Sequence, residues 1–420
     1  MMKKLFRLLC LSLLVLSFAS FAYAQEEIKI GVIYPLTGPL ASTGQVLLEG
    51  AKLAAEIVNG NYNLNMPLAK GEGLPNLKGA KIKLITGDHQ GKPEVGMAEA
   101  ERLITQEKVV AIVGCYNSSV TATASQATER LGIPFVNESS TSPTLTDRGF
   151  KWFFRTTPHD DLFSENFFMF LRDLSKKKKL GTNTVALFAE NTLFGTDSVK
   201  FQTKYAEKYG FKLAGPAVLY PAKSTQLTSE VQKLKGMNPK VVIQTAYIAD
   251  AILSMKTYRE LNFAPTAILA NDAGFIDPEF VKSLGKDANY ILSREVWAKD
   301  LANKKPMIKT VADMFEKRTG KHMDGTSSRA FTAMIVLADA INRAGSTEPA
   351  KIQDALLKTN IKADQLVMPW DGVKFDAKTH QNVLGKGIMV QVQNGEYVTV
   401  WPFNLATKEI IWPFPKWEGR

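Results

Sequence analysis

At 420 residues the chain is too long for one ordinary hydrophobic core, so two domains are expected. A composition of 45% hydrophobic and 22% charged residues excludes a disordered chain. The formal charge of +11 is spread along the sequence, with Lys176–Lys179 as its one tight cluster, and no basic stripe interleaved with aromatics points to nucleic acid.

The first residues read as a targeting segment. Lys3, Lys4 and Arg7 form a basic region, Leu8–Phe21 an apolar core, and Ala22-Tyr23-Ala24 supplies small residues for cleavage after Ala24. Cys10 follows Arg7-Leu8-Leu9, which lacks the small residue of a lipoprotein box, so no lipid anchor is expected. Removing three positive charges leaves a mature chain of +8 with Cys115 as its one cysteine, which excludes an intramolecular disulfide. No other apolar run is long enough to span a bilayer, and an exported, soluble protein is expected.

Ile28–Tyr34 is the first expected strand, followed by the breaker-rich turn Pro35-Leu36-Thr37-Gly38-Pro39. Ser42 or Thr43 can cap the next helix, whose apolar face is Leu47, Ala51, Ala54 and Val58. A long polar connection, Asn59–Gly79, leads to a strand over Ala80–Thr86 and a helix opened by Pro93. Val109–Leu145 then reads as strand, polar loop, small-residue helix, strand and hydroxyl-rich loop. Its two loops fall at the carboxyl ends of successive strands, the edge where open α/β sheets bind ligands. Lys151–Arg155 closes this half with another strand.

The pattern starts again at a helix capped by Asp160 or Asp161, with Phe163, Phe167, Phe170 and Leu174 on one face. Strands over Thr184–Ala189, Lys212–Tyr220, Lys240–Gln244, Thr266–Ala270 and Ala288–Ser293 alternate with helices. From Pro306 the chain is mostly helical, and Asn394-Gly395 between two β-rich runs signals a late hairpin. The alternation predicts two parallel α/β halves with a small-ligand cleft between them.

Catalytic and metal signatures do not emerge. His89, His159, His322 and His380 are scattered, with no ligand pair at helical spacing. No nucleophile elbow, phosphate loop or G-x-G-x-x-G follows the first strand. His159-Asp160-Asp161 reads more simply as a linker running into a helix cap than as a general base. No enzyme activity, metal or cofactor is expected.

Five stretches, Tyr34–Pro39, Gly114–Ser125, Ser139–Leu145, Glu190–Gly195 and the tail from Trp370-Asp371, stand in an order that resembles the type I periplasmic substrate-binding proteins of ABC transporters for branched-chain and other hydrophobic amino acids. The resemblance covers essentially the whole mature chain. It implies an α/β fold of two Rossmann-like lobes joined by three crossing segments, near Thr157–Asp160, Glu295–Ala298 and Gln365–Pro369, with the ligand cleft between them. The implied division is lobe I at 25–158 and 298–366, and lobe II at 159–297 and 367–420.

The same resemblance implies that the ligand carboxylate is held by Ser118 and Thr141, with Asn117 and Ser140 beside them. A helix N-terminus with added hydroxyl donors suits an anion, although Ser118 and Ser119 also fit plain helix caps. Asp272 stands where the family carries a Glu on the ligand's ammonium, and it also fits a turn. Tyr247 fits a family tyrosine, Phe194 falls where many members carry tyrosine, Tyr116 replaces a smaller apolar residue, and Thr43 matches a tyrosine of some members. The implied function is capture of a small carboxylate-bearing ligand by lobe closure: a hydrophobic amino acid, an aromatic acid or an amide. The implied partner is a membrane permease, the location periplasmic and the protein monomeric; a sensor acting through a receptor is the alternative.

Overall fold

A computed structural model describes residues 27–181 and 183–420; the targeting segment lies outside them. In chain order the first half comprises β1 (Glu27–Tyr34), α1 (Ala41–Asn59), β2 (Lys81–Asp88), α2 (Pro93–Thr105), β3 (Ala111–Gly114), α3 (Ser118–Leu131), β4 (Phe135–Asn137), α4 (Thr144–Asp147) and β5 (Phe153–Arg155). Its sheet is wholly parallel, ordered β2-β1-β3-β4-β5. Strands β3, β4 and β5 are buried throughout, which is why each opens on consecutive apolar residues rather than alternating ones.

The second half follows with α5 (Asp160–Ser175), β6 (Thr184–Glu190), α6 (Leu193–Lys208), β7 (Lys212–Leu213), β8 (Val218–Tyr220), α7 (Thr228–Gly236), β9 (Val241–Thr245), α8 (Ile248–Glu260), β10 (Ala267–Ala270), α9 (Pro278–Leu284) and β11 (Leu292–Glu295). Here β7 and β8 flank β6 on one side, and β9, β10 and β11 follow on the other, all parallel. The winding of the first sheet is thus repeated. Each sheet reverses its strand order beside its first strand, between β1 and β3 and between β6 and β9, and such switch points open a crevice at the carboxyl ends.

The chain then returns to the first lobe through α10 (Pro306–Thr319), α11 (Gly325–Ala344) and α12 (Pro349–Leu357), with α11 packed along α1. Thirteen consecutive residues of α11, Gly325–Leu337, are buried, so a charge among them has no solvent to turn to. Short strands β12 (Ile361–Lys362) and β13 (Gly372–Val373) follow and pair antiparallel. The hairpin β14 (Ile388–Gln393) and β15 (Glu396–Trp401), turning at Asn394-Gly395 as expected, adds antiparallel strands to the edge at β11.

Several local expectations are corrected. The stretch Lys212–Tyr220 is two short strands, and the last parallel strand begins at Leu292 rather than Ala288. Leu40, not Ser42 or Thr43, is the N-cap of α1, and both hydroxyls point instead to Asp277 of the second lobe. His159 is the N-cap of α5, so Asp160 lies inside its first turn and is fully buried. The Asn59–Gly79 connection is tied down: Asn76 donates two 2.9 Å hydrogen bonds to Asn342, and Leu74 is buried. The aromatic tail packs on the second lobe, where Trp417 Nε1 donates to the Phe263 carbonyl at 3.1 Å.

Candidate ligand cleft

The carboxyl ends of β3, β4, β6, β9, β10 and β11 converge between the lobes on a small cavity. It is lined by Tyr116, Ser118, Ser139, Ser140 and Thr141 from the first sheet and by Phe194, Tyr247, Asp272, Ala273 and Arg294 from the second, with Arg329 arriving from α11. The enclosed space is about 10 Å³, close to the least that one water needs. Small-molecule pockets usually run to ~300 Å³ or more, so entry of a ligand requires side chains or lobes to move.

The first-lobe wall is built from hydroxyls and backbone. Asn117 occupies the N-cap of α3 yet makes no side-chain capping bond, and Ser118 is the first helical residue. Plain capping is therefore not what these residues do. Instead the Tyr247 phenol faces the Asn117 side chain and the Ser118 backbone N–H, whose donors oppose the upward push that burial gives its titration. The phenol of the opposite lobe thus faces the helix N-terminus, where the unpaired N–H groups and the helix dipole favour negative charge. Ser118 Oγ accepts only a long 3.5 Å contact from the Ser142 N–H.

Ser140 is different. Its hydroxyl meets Thr121 Oγ1 at 2.6 Å and lies 2.9–3.1 Å from the carbonyls of Tyr116 and Cys115, so it ties the two loops together. Thr141 donates to Asp160 Oδ2 at 2.9 Å.

The second-lobe wall starts from aromatic rings. Tyr247 lies 5.4 Å from the Tyr116 ring and 5.5 Å from that of Phe194, centroid to centroid, so three rings form one wall across the lobes. Phe194 is held there by a close approach: a Cβ on Gly195 would stand 1.9 Å from the Glu190 carbonyl oxygen, so glycine alone lets α6 begin so near β6. Thr192 caps that helix by accepting from the Gly195 N–H at 3.1 Å. Tyr247 is fixed in turn by its backbone N–H, which donates to the buried Glu190 carboxyl at 2.5 Å.

Beyond the rings the wall is ionic. Asp272 Oδ2 accepts from both Arg294 Nη1 and Arg329 Nη2, and Oδ1 accepts from the Ala273 N–H at 2.7 Å. Arg329 also donates to Glu295 Oε1 at 2.7 Å, and Arg294 Nε to Asn271 Oδ1 at 2.8 Å. The Arg294 guanidinium lies 3.8 Å from the Phe163 ring centroid and 3.7 Å from Asp160. Burial pushes Glu295 up to about 8 and raises Asp160, while it lowers Arg294 against the pull of Asp272 and Asp160. For Arg329 burial works against the charge, but Asp272 and Glu295 more than offset it and its titration is raised. Glu295 also borders a larger cavity of about 650 Å³, lined by Ile276, Trp297, Met323 and Asp324 among others, so the Arg329–Glu295 pair stands between the two spaces.

The lobes also touch outside the cavity. Ser42 and Thr43 bond Asp277, Ser142 donates to Asp197 at 2.5 Å, and Thr144 donates to the same carboxylate at 2.8 Å.

A family model described as periplasmic binding protein matches residues 27–396. The chain belongs to the periplasmic binding protein family. Among curated relatives, the Leu/Ile/Val-binding protein homolog 7 of Brucella abortus (strain 2308) is 29% identical over 405 residues, covering 94% of this chain and 96% of its own length. The leucine binding protein LivK of Thermotoga maritima superposes with a TM-score of 0.76 at 23% identity, covering 89% of this chain and 97% of its own. A solute binding protein of R. palustris in complex with 4-hydroxybenzoate gives 0.74 at 20%, with coverage of 94% and 99%. This periplasmic binding protein has the type I fold, and its family consists of exported substrate-binding proteins rather than enzymes. No helix among the described residues is long and apolar enough to cross a membrane.

Of the residues expected at the ligand from sequence, Tyr116, Ser118, Ser140, Thr141, Phe194, Tyr247 and Asp272 meet around one cavity. Asn117 stands behind it and acts on the Tyr247 hydroxyl. Thr43 lines no part of it and bonds Asp277 across the lobes. Sequence reasoning missed Ser139, Arg294 and Arg329. Neither arginine stands in a loop after a strand: Arg294 lies inside β11 and Arg329 inside α11, so the sequence pattern tied neither to the cleft.

Proposed function

We propose that this chain is an exported solute-binding protein that captures a small carboxylate-bearing ligand by closing its two lobes and delivers it to an ABC transporter permease. The observation that carries this reading is the α3 N-terminus with Ser118, aimed at an interlobe cavity and faced by three aromatic rings. The ligand's carboxylate docks on the Ser118 N–H at the helix start, and the Ser118 hydroxyl adds a donor. Thr141 contributes by turning its hydroxyl from Asp160. The rings of Tyr116, Phe194 and Tyr247 cover the rest of the ligand. Relatives named for leucine, isoleucine and valine, and a structural neighbour holding 4-hydroxybenzoate, support a hydrophobic amino acid or an aromatic acid.

Closure follows from two-sided contact. A ligand that touches both lobes shifts the open–closed equilibrium by its differential affinity for the closed form. The lobes are residues 25–158 with 298–366, and 159–297 with 367–420. The mature protein begins after Ala24, lies in the periplasm and acts as a monomer.

The test is calorimetry on the Ser118→Ala plus Thr141→Ala variant, using a carboxylate found by thermal-shift screening. Affinity falls more than about tenfold with the protein still folded, as expected for loss of hydrogen bonds to a charged group. Unchanged affinity would overturn the carboxylate assignment.

A further inference from the structure

We infer that the ligand of this cleft is an organic acid without an ammonium group, carrying a second oxygen acceptor at the end that faces Arg329. This deepens the capture reading above and rests on it.

The place where an ammonium would dock is Asp272, and its carboxylate is already engaged at both oxygens. One oxygen takes a guanidinium hydrogen bond from each of Arg294 and Arg329, and the other takes the Ala273 N–H. A cation brought to Asp272 would therefore also be brought to two guanidiniums, at distances where like charges repel strongly in a buried site.

Neither arginine is free to swing clear. Arg294 is clamped by Asn271 and by the Phe163 ring, Arg329 by Glu295, and their side chains are 2% and 3% exposed. The charged residues lining the cavity are thus two guanidiniums and one carboxylate. The neighbouring acids do not redress this: burial holds Glu295 up near 8, so near neutral pH it is largely uncharged, and it raises Asp160 as well.

One donor remains to be satisfied. Arg329 Nε is buried and has no hydrogen-bond partner. A buried donor left unpaired is costly, and an oxygen on the ligand is the group that would satisfy it. A carboxylate at the α3 end, an apolar or aromatic body against the three rings, and a hydroxyl, carbonyl or carboxylate oxygen at the arginine end together describe an acid, not an amino acid.

The experiment uses pairs that differ by the amine alone, titrated into the mature protein near pH 7: leucine against 4-methylpentanoate, and phenylalanine against 3-phenylpropanoate. The 4-hydroxy derivative of 3-phenylpropanoate tests the second oxygen. Each deaminated acid binds at least about tenfold more tightly than its amino acid, a difference of about 1.4 kcal/mol, and the added hydroxyl tightens binding further. Tighter binding of the amino acid in both pairs overturns this inference while leaving the carboxylate site standing. Absence of binding by every member at millimolar concentration overturns the capture reading too. Asp272→Asn supplies a second arm: acid binding survives it, whereas a site built for an ammonium loses its affinity.

Discussion

The two halves of the cleft come from the same winding, and each places its loops at the carboxyl ends of parallel strands, yet they are made of opposite materials. The first-lobe half is neutral: Ser118, Ser139, Ser140 and Thr141 present hydroxyls and backbone N–H groups at a helix start. The second-lobe half is a buried chain of charges, Asp160–Arg294–Asp272–Arg329, whose last member comes from α11 and donates onward to Glu295. A neutral half can exchange one oxygen for another at little cost, because turning a hydroxyl leaves no buried charge unpaired. A half made of interlocked ions cannot give up a member without stranding another. Recognition of a common carboxylate suits the first half, and selection by charge suits the second.

The largest expected effect comes from breaking the charged chain. Arg329→Ala leaves Asp272 with one cation fewer and Glu295 Oε1 without its donor, and loss of one partner in a buried pair costs ~3–5 kcal/mol. Urea unfolding should report a loss of that size. Removing Asp272 as well should recover part of it, because the double variant strands fewer charges. A loss below ~1 kcal/mol would mean that the second half is no more interlocked than the first.

The same contrast explains what the sequence disclosed. Two parallel halves, the late hairpin and the hydroxyl loops follow from short-range patterns: alternating element types, Asn394-Gly395, and polar loops after apolar strands. The neutral wall could be read because Gly114–Ser118 and Asn137–Ser142 lie within one βαβ unit. The ionic wall could not. Arg294 and Arg329 are 35 positions apart, on a strand and a helix of different lobes, and only the fold brings both to Asp272. Asp160 was misread for the same reason. Its position at the start of a helix suggests a cap, whereas its partners Thr141, Ser198 and Asn271 come from three other elements. Thr43 was drawn to the cleft by resemblance, but a threonine is too short to do more than reach Asp277.

The next effect in size concerns pH, and it reaches both halves. Glu138, behind the first-lobe wall, is pushed by burial from 4.5 to about 8, and Glu295 likewise. Between those values the folded protein holds protons that the unfolded chain has released. Stability is therefore fully present below about 4.5 and falls as pH rises through 8, by at most about 1.4 kcal/mol per pH unit for each proton. Glu138→Gln should flatten that fall without touching any ion pair, because the amide has no proton to lose. Urea midpoints for wild type and variant at pH 5 and pH 8 provide the check. If the two proteins lose stability equally over that span, Glu138 is not the group that holds a proton in the folded state.

The smallest effect divides the neutral half itself. Ser140 and Ser118 are both buried serines on the cavity wall, but the Ser140 hydroxyl is engaged by Thr121 and two carbonyls, and that of Ser118 by one long contact. Ser140→Ala should therefore cost about 1 kcal/mol of stability, the usual net worth of a buried hydrogen bond, with ligand affinity changed by less than about threefold. Ser118→Ala should do the reverse: it leaves stability nearly unchanged and weakens ligand binding. Paired unfolding and calorimetry on the two variants separates the serine that builds the wall from the one that meets the ligand. If Ser140→Ala removes affinity as thoroughly as Ser118→Ala, its hydroxyl must leave Thr121 when ligand binds, and the first-lobe half would be a rearranging site rather than a preformed one.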